Sequence, residues 1–140
     1  MHQVYLGLGT NLGDKEANLK AAIEEIRKRV GEVTSLSAFH ASEPWGFQSE
    51  NPFLNAVCCV STNFQPLEVL AITQDIERLL GRLKKSTGGN YSDRVIDIDI
   101  LLYDDLHIDT PELTIPHPLM WQRDFVMIPL REIVPDIKAF

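Results

Sequence analysis

The stretch Arg94-Val95-Ile96-Asp97-Ile98-Asp99-Ile100-Leu101-Leu102-Tyr103 reads as a β-strand. β-Branched and aliphatic residues dominate it, and neither Gly nor Pro interrupts it. Side chains alternate between the faces of a strand. Asp97 and Asp99 therefore point one way with Val95 and Leu101, while Ile96, Ile98, Ile100 and Leu102 point the other. The wholly aliphatic face belongs in a core. The other face sets two carboxylates side by side on an apolar strand, where like charges repel and partial burial adds to the cost. A cation is the natural relief. A hard ion such as Mg²⁺ suits oxygen ligands and is commonly held by one or two carboxylates plus substrate phosphates.

Upstream of this strand, residues 82–94 form a long polar connection carrying Arg82, Lys84, Lys85 and Arg94. These residues make a local basic patch in a chain whose net charge is −7. Before it, Pro66 opens a helix at the favoured first position, and Val69, Ile72, Ile76, Leu79, Leu80 and Leu83 line its apolar side; Gly81 ends it. Gln74 and Glu77, three apart, share another face. Their spacing alone describes a solvated surface.

Phe53–Thr62 reads as a further strand. Leu54, Ala56, Cys58 and Val60 share one face, and Phe53, Asn55 and Val57 the other. An Asn next to a Phe on one strand face suits either a loop cap or a planar polar ligand, bound by amide hydrogen bonds and ring stacking. The preceding loop, residues 42–52, carries Trp45 and Phe47 between prolines. It reads either as a lid over a ligand or, better, as a loop packed on its own domain. Val33–Ala41 is a strand of modest quality. At the start of the chain, Val4–Gly9 is a strand, Gly9–Asp14 a turn, and Lys15–Arg29 a helix capped by Asp14 and ended by Gly31. Its buried face is Leu19, Ala22, Ile23, Ile26 and Val30. Beyond Tyr103, Asp104-Asp105 is a turn. His107-Ile108 and residues 113–115 are small strands, and Val126–Ile133 is helical, starting or bending near Pro129.

The 140 residues, 44% hydrophobic and 24% charged, describe a single globular domain spanning 1–140, with room for a substantial core. No apolar run reaches the roughly 18 residues a membrane span needs, and the N-terminus lacks the pattern of a secretory signal. An acidic chain is a poor general binder of nucleic acid. Cys58 and Cys59 are adjacent in a strand, face opposite sides and form no disulfide framework; buried, inert thiols in a cytoplasmic protein are expected. His2, His40 and His107 read as surface or structural residues.

Strand, helix, strand, strand, helix, strand is the βαββαβ order of ferredoxin-like α+β folds. It implies an antiparallel sheet with both helices on one face and a small C-terminal extension. Phe53, Asn55, Asp97 and Asp99 then fall together on the face away from the helices, where the C-terminal segment leaves a cleft. Carboxylates, a basic loop and a polar-aromatic pocket point to metal-assisted phosphoryl chemistry. There is no G-x-x-x-x-G-K-[ST] loop and no dinucleotide fingerprint at Gly7, Gly9 and Gly13.

Several blocks in order carry a resemblance: residues 7–14, Ser42-Glu43-Pro44-Trp45-Gly46, Phe53-Leu54-Asn55-Ala56, Gln74-Asp75-Ile76-Glu77 with Gly81-Arg82, residues 94–101, and Pro116-His117-Pro118 through Arg123-Asp124-Phe125. Over nearly its whole length the chain resembles the 6-hydroxymethyl-7,8-dihydropterin pyrophosphokinases of folate synthesis. The resemblance implies transfer of pyrophosphate from ATP, as co-substrate, to the pterin hydroxymethyl group, with release of AMP. It implies that Asp97 and Asp99 hold two Mg²⁺ ions, and that Phe53 and Phe125 sandwich the pterin. Asn55 would bond the pterin's edge, with Ser42, Pro44 and Trp45 in the same subsite. Gln74, Glu77, Lys84, Tyr91, Ile100, His117 and Arg123 would contact ATP, and Arg82 and Arg94 would act on its phosphates. The chain departs from the family pattern at Asn90-Tyr91-Ser92-Asp93, where a basic residue, an aromatic, Gly and Pro are usual and Tyr91 stands for Trp. Lys84 replaces a common arginine, and Pro118 a frequent Tyr. Two other readings differ in chemistry: a ferredoxin-like binding module, and a Mg²⁺-dependent phosphohydrolase releasing ADP or phosphate.

Overall fold

The computed structural model describes residues 1–43, 51–81 and 95–137. In chain order these form β1 (His2–Thr10), α1 (Lys15–Arg29), β2 (Glu32–Leu36), β3 (His40–Ser42), β4 (Phe53–Thr62) and α2 (Pro66–Gly81). Then come β5 (Asp97–Tyr103), β6 (Ile108–Asp109), β7 (Thr114–Ile115), a 3-10 turn at Met120–Gln122, and α3 (Asp124–Ile133). The main sheet runs β2-β4-β1-β5 with β3 also paired to β4, and all its pairings are antiparallel. β6 and β7 form a separate hairpin. Among the described residues no helix is long and apolar enough to cross a membrane.

Two cores sit on opposite faces of the sheet. On one, Leu19, Ala22, Ile23 and Ile26 of α1 and Val69 and Ile76 of α2 close over Val4, Leu6 and Leu8 of β1, Ala56, Cys58 and Val60 of β4, and Ile98 and Ile100 of β5. This is the helix-covered face expected from the strand alternation. Truncating any of these large side chains costs about 2–5 kcal/mol. On the other face Val126, Met127 and Leu130 of α3 and Met120 pack on Val57, Leu101 and Leu102.

Leu102 was expected among the helix-facing residues and lies on the α3 side. Tyr5 pairs with Leu102 and Leu6 with Ile100, so Leu101 is an extra residue in β5. Such a bulge reverses the alternation beyond it. Leu101 and Leu102 therefore both face α3, and Tyr103 turns into the helix-side core. Its hydroxyl donates to the Phe64 carbonyl.

Three further expectations change. The strand drawn over Val33–Ala41 is two strands, because the Ser37 hydroxyl accepts the Val57 N–H at 2.9 Å and replaces a rung of the ladder. Gly31 ends α1 as expected: it follows the cap residue Val30, and its N–H donates to the Ile26 carbonyl at 3.2 Å. A Cβ on Gly31 would lie 2.0 Å from the Ser61 carbonyl oxygen, so the glycine permits close passage over β4. Leu79 is not on the buried side of α2 but 42% exposed. α3 begins at Asp124, well before Pro129, which sits buried inside the helix; there it forgoes a bond to the carbonyl four residues earlier. Leu83 lies outside the described residues.

The Asp14 cap of α1 is as expected, its carboxylate accepting the Ala17 N–H at 3.1 Å. Both cysteines are buried and free, and burial pushes the Cys58 thiol up to about 12.

Candidate active site

The face of the sheet that α3 leaves uncovered carries a cavity of about 320 Å³, within the range of small-molecule sites. Its floor is sheet. β1 presents Gly7 and Gly9, β4 presents Phe53, Asn55 and Ala56, and β5 presents Asp97 and Asp99. Its walls are Ser42 and Glu43 on one side, and His117, Leu119, Arg123, Phe125 and Val126 on the other.

The strand pairings explain the convergence. Gly9 lies opposite both Asn55 and Asp97, and Gly7 opposite both Val57 and Asp99. Side chains opposite one another in a ladder share a face, so β1 separates the Asn55 side from the aspartates with two residues that have no side chain. A Cβ on Gly9 would come 3.2 Å from Asn55 Oδ1 and 3.6 Å from Phe53 Cδ1. The floor is flat because these residues are glycine. The entry to β4 is braced by the β1–α1 turn: Asn11 donates to the Asn51 carbonyl at 3.2 Å and Lys15 to that of Pro52 at 3.1 Å.

Asn55 is buried, at 3% exposure. Its Nδ2 donates to Ser42 Oγ at 2.6 Å and to the His40 carbonyl at 3.3 Å. On the opposite wall the Arg123 guanidinium lies 5.4 Å from the centre of the Phe125 ring, a cation–π distance. His117 Nδ1 accepts the Leu119 N–H at 3.3 Å, so the neutral ring carries its proton on Nε2. Burial, and then the Arg123 charge, hold the His117 pKa below its ordinary value, against the pull of Asp97.

At the outer edge of β5, the Ile98 N–H donates to Glu77 Oε2 at 2.8 Å. Burial pushes the Glu77 carboxyl up to about 8; Asp97 and Asp99 add to the rise, and the Ile98 N–H opposes it.

Of the predicted site residues, Ser42, Phe53, Asn55, Asp97, Asp99, His117, Arg123 and Phe125 all line the cavity. Glu77 reaches β5 around its edge, so its side chain is not the solvated one its spacing described. Gln74 is exposed on α2, and the Ile100 side chain is buried in the helix-side core; neither lines the cavity. Pro44, Trp45, Arg82, Lys84, Tyr91 and Arg94 lie outside the described residues. Gly7, Gly9, Glu43, Leu119 and Val126 were not foreseen in the site. The two glycines had a readable signal, since their two-residue spacing puts both on one strand face. His2 and His40 have partners not foreseen in the sequence: His2 pairs with Asp104 at 2.6 Å and His40 with Glu132.

Residues 5–135 match the family model described as 7,8-dihydro-6-hydroxymethylpterin-pyrophosphokinase (HPPK). The chain belongs to this family. A Porphyromonas gingivalis protein called 2-amino-4-hydroxy-6-hydroxymethyldihydropteridine pyrophosphokinase is 54% identical over 133 residues, covering 94% of this chain and 90% of that one. The Bacillus subtilis protein of that name is 36% identical over 135 residues, covering 96% and 79%. The Dictyostelium discoideum folic acid synthesis protein FOL1 is 41% identical over 133 residues, which cover 95% of this chain but 20% of that one. Among solved structures, an HPPK-DHPS crystallised in complex with substrates aligns with a TM-score of 0.79 at 15% identity, covering 99% of this chain and 41% of that one. Wild-type Plasmodium falciparum HPPK-DHPS aligns with a TM-score of 0.76 at 16% identity, covering 99% and 42%. This chain thus spans about two fifths of those solved chains, and at that identity they speak to the fold: helices and an antiparallel sheet in the same arrangement.

Proposed function

We propose that this chain transfers pyrophosphate from ATP to 6-hydroxymethyl-7,8-dihydropterin, giving the pterin pyrophosphate and AMP, a step of tetrahydrofolate biosynthesis. The observation that carries this reading is the single cavity joining Phe53, Asn55 and Phe125 to Asp97 and Asp99. A flat heterocycle needs the first three, and a polyphosphate with its cation needs the last two.

In this reading Phe53 and Phe125 bracket the pterin, and Asn55 and Ser42 bond its edge, with Pro44 and Trp45 in the same subsite. The pterin hydroxyl attacks the β-phosphorus, and the bond from that phosphorus to the oxygen retained by AMP breaks. Arg123 sits where negative charge spreads, and His117 offers an Nε2–H donor. Glu77 braces the acidic strand from its edge. Gln74, Lys84, Tyr91 and Ile100 are proposed as ATP contacts, Ile100 through its backbone. Arg82 and Arg94 are proposed to act on the phosphates.

The donor set suits Mg²⁺, with two ions proposed. Asp97 and Asp99 both offer hard oxygen ligands to the cavity, which suits an ion held partly by the substrate's phosphates. When bound, Mg²⁺ would neutralise charge on the triphosphate as a Lewis acid. We further read the chain as one domain with ferredoxin-like βαββαβ topology, supported by the order β2-β4-β1-β5. In that reading β2 and β3 together make one of the four strands. We read its setting as cytoplasmic, without nucleic-acid or membrane partners.

Incubation with the pterin, ATP and Mg²⁺, followed by identification of the nucleotide product, tests the reading. AMP formed only when pterin is present supports it. ADP, or no turnover, overturns it.

A further inference from the structure

Asn55 presents one specific end of its amide to the cavity, and the reason lies outside the cavity. A backbone carbonyl can only accept a hydrogen bond, so the amide atom facing the His40 carbonyl must be the nitrogen. Nδ2 donates there at 3.3 Å and to Ser42 Oγ at 2.6 Å. Both of its N–H bonds are thereby used on β3. Oδ1 is the end that lies toward Gly9 on the cavity floor.

β3 is a weak element to carry this duty. It is three residues long and pairs only with β4, His40 opposite Asn55 and Ser42 opposite Phe53. What secures it is Glu132, in the last turn of α3. One carboxylate oxygen accepts the Ala38 N–H at 2.8 Å, and the other pairs with the His40 ring. The Ala38 N–H and, after burial opposes it, the His40 ring hold this carboxyl below its usual range, so it is ionised at neutral pH. The same helix supplies Phe125 and Val126 to the cavity wall. One side chain thus ties the aromatic wall to the strand that orients the amide.

We propose that Glu132 is a positioning residue for the pterin subsite. Through His40 and β3 it keeps Asn55 Oδ1 turned toward the ligand, so the subsite selects a ring edge that carries N–H donors. This rests on the pterin reading above; the ligand-free part of the test stands apart from it.

Three variants test the linkage: Glu132→Ala, Glu132→Gln and Asn55→Ala, the first also combined with the last. In the unliganded protein, Glu132→Ala is expected to shift the Asn55 side-chain amide signals in a ¹H–¹⁵N spectrum and to speed their exchange with solvent. With a non-hydrolysable ATP analogue present, its pterin Kd rises about fivefold to tenfold, the size of one lost hydrogen bond. Affinity for the analogue stays within about twofold, as it should for a site this change does not reach. Glu132→Gln keeps an acceptor for the Ala38 N–H and recovers most of the loss. In the Asn55→Ala background, Glu132→Ala has almost no further effect on pterin binding, because the group it acts through is gone. Asn55 signals that do not move in Glu132→Ala overturn the positioning role, and so does an equal loss of pterin affinity with and without Asn55. A wild-type protein that binds no pterin at all overturns the ligand assignment and the proposed activity, an outcome distinct from a silent Asn55 amide.

Discussion

Ile98, between the two aspartates of β5, donates its backbone N–H to Glu77 Oε2 at 2.8 Å. β5 is an edge strand, and edges expose unpaired backbone groups. Glu77 closes that edge beside Asp97 and Asp99. Burial pushes its carboxyl up to about 8, against the Ile98 N–H and with Asp97 and Asp99 adding to the rise, so the fold favours the neutral acid over the carboxylate. Glutamine is then nearly its isostere. Glu77→Gln is expected to unfold in urea within about 1 kcal/mol of the wild type, whereas Glu77→Ala, which strands the Ile98 N–H, loses about 1–3 kcal/mol. Equal stability of the two variants would show that the bond does not hold the strand.

In the proposed role the aspartate pair serves the reaction rather than the fold. Asp97 and Asp99 share a strand face and a cavity, and like charges so placed repel. Asp97→Asn and Asp99→Asn should each lower AMP formation by about a hundredfold or more. Their melting temperatures in chelator should equal or exceed that of the wild type. Chelator itself should abolish turnover and leave the wild type folded, since two hydrophobic cores on opposite faces of the sheet hold it together. Activity that survives in either variant contradicts the metal assignment.

The strand alternation was legible because two-residue periodicity is local. β4 has the bounds read from its residues, and the shared face of Phe53, Asn55, Asp97 and Asp99 lines one cavity. What was not legible depends on partners distant in sequence. The bulge at Leu101 exists only against Tyr5 and Leu6, so nothing within β5 announced that Leu102 would change face. Ser37 breaks its strand by bonding Val57, twenty residues away. His40 looked like a surface residue because its partner, Glu132, is 92 positions on. Glu77 looked solvated because the edge it covers belongs to another element.

Two glycines separate site from scaffold. At Gly9 a methyl group would sit 3.2 Å from Asn55 Oδ1 and 3.6 Å from Phe53 Cδ1, tight but tolerable for the fold. It would occupy the floor on which a ligand ring must lie. Gly9→Ala is expected to stay within about 1–2 kcal/mol of wild-type stability, while its KM for the pterin rises about tenfold or more. At Gly31 the methyl would meet the Ser61 carbonyl oxygen at 2.0 Å, and backbone on both sides cannot yield. Gly31→Ala should lose about 3 kcal/mol or more, or fail to fold. Denaturant melts beside steady-state kinetics distinguish the two, and a Gly9→Ala enzyme with unchanged pterin KM would remove that glycine from the site.

Tyr103 supplies a pH-dependent signal far from the cavity. It is fully buried, and its hydroxyl donates to the Phe64 carbonyl. Burial first, then the charges of Asp104 and Glu68, push the phenol from its ordinary 10.0 up to about 12. The folded state therefore holds this proton more tightly than the unfolded chain does. The resulting stabilisation is complete below pH 10, where both states are protonated, and is lost as pH climbs from there through about 12. Tyrosinate absorbance during an alkaline titration should show the three tyrosines ionising unequally, with Tyr103 last and accompanied by loss of structure. Tyr103→Phe should remove that last step and cost about 1 kcal/mol at neutral pH, from one lost hydrogen bond and an unpaired Phe64 carbonyl. If the tyrosines of the wild type all ionise together near pH 10.0 while the protein stays folded, Tyr103 is not held as described.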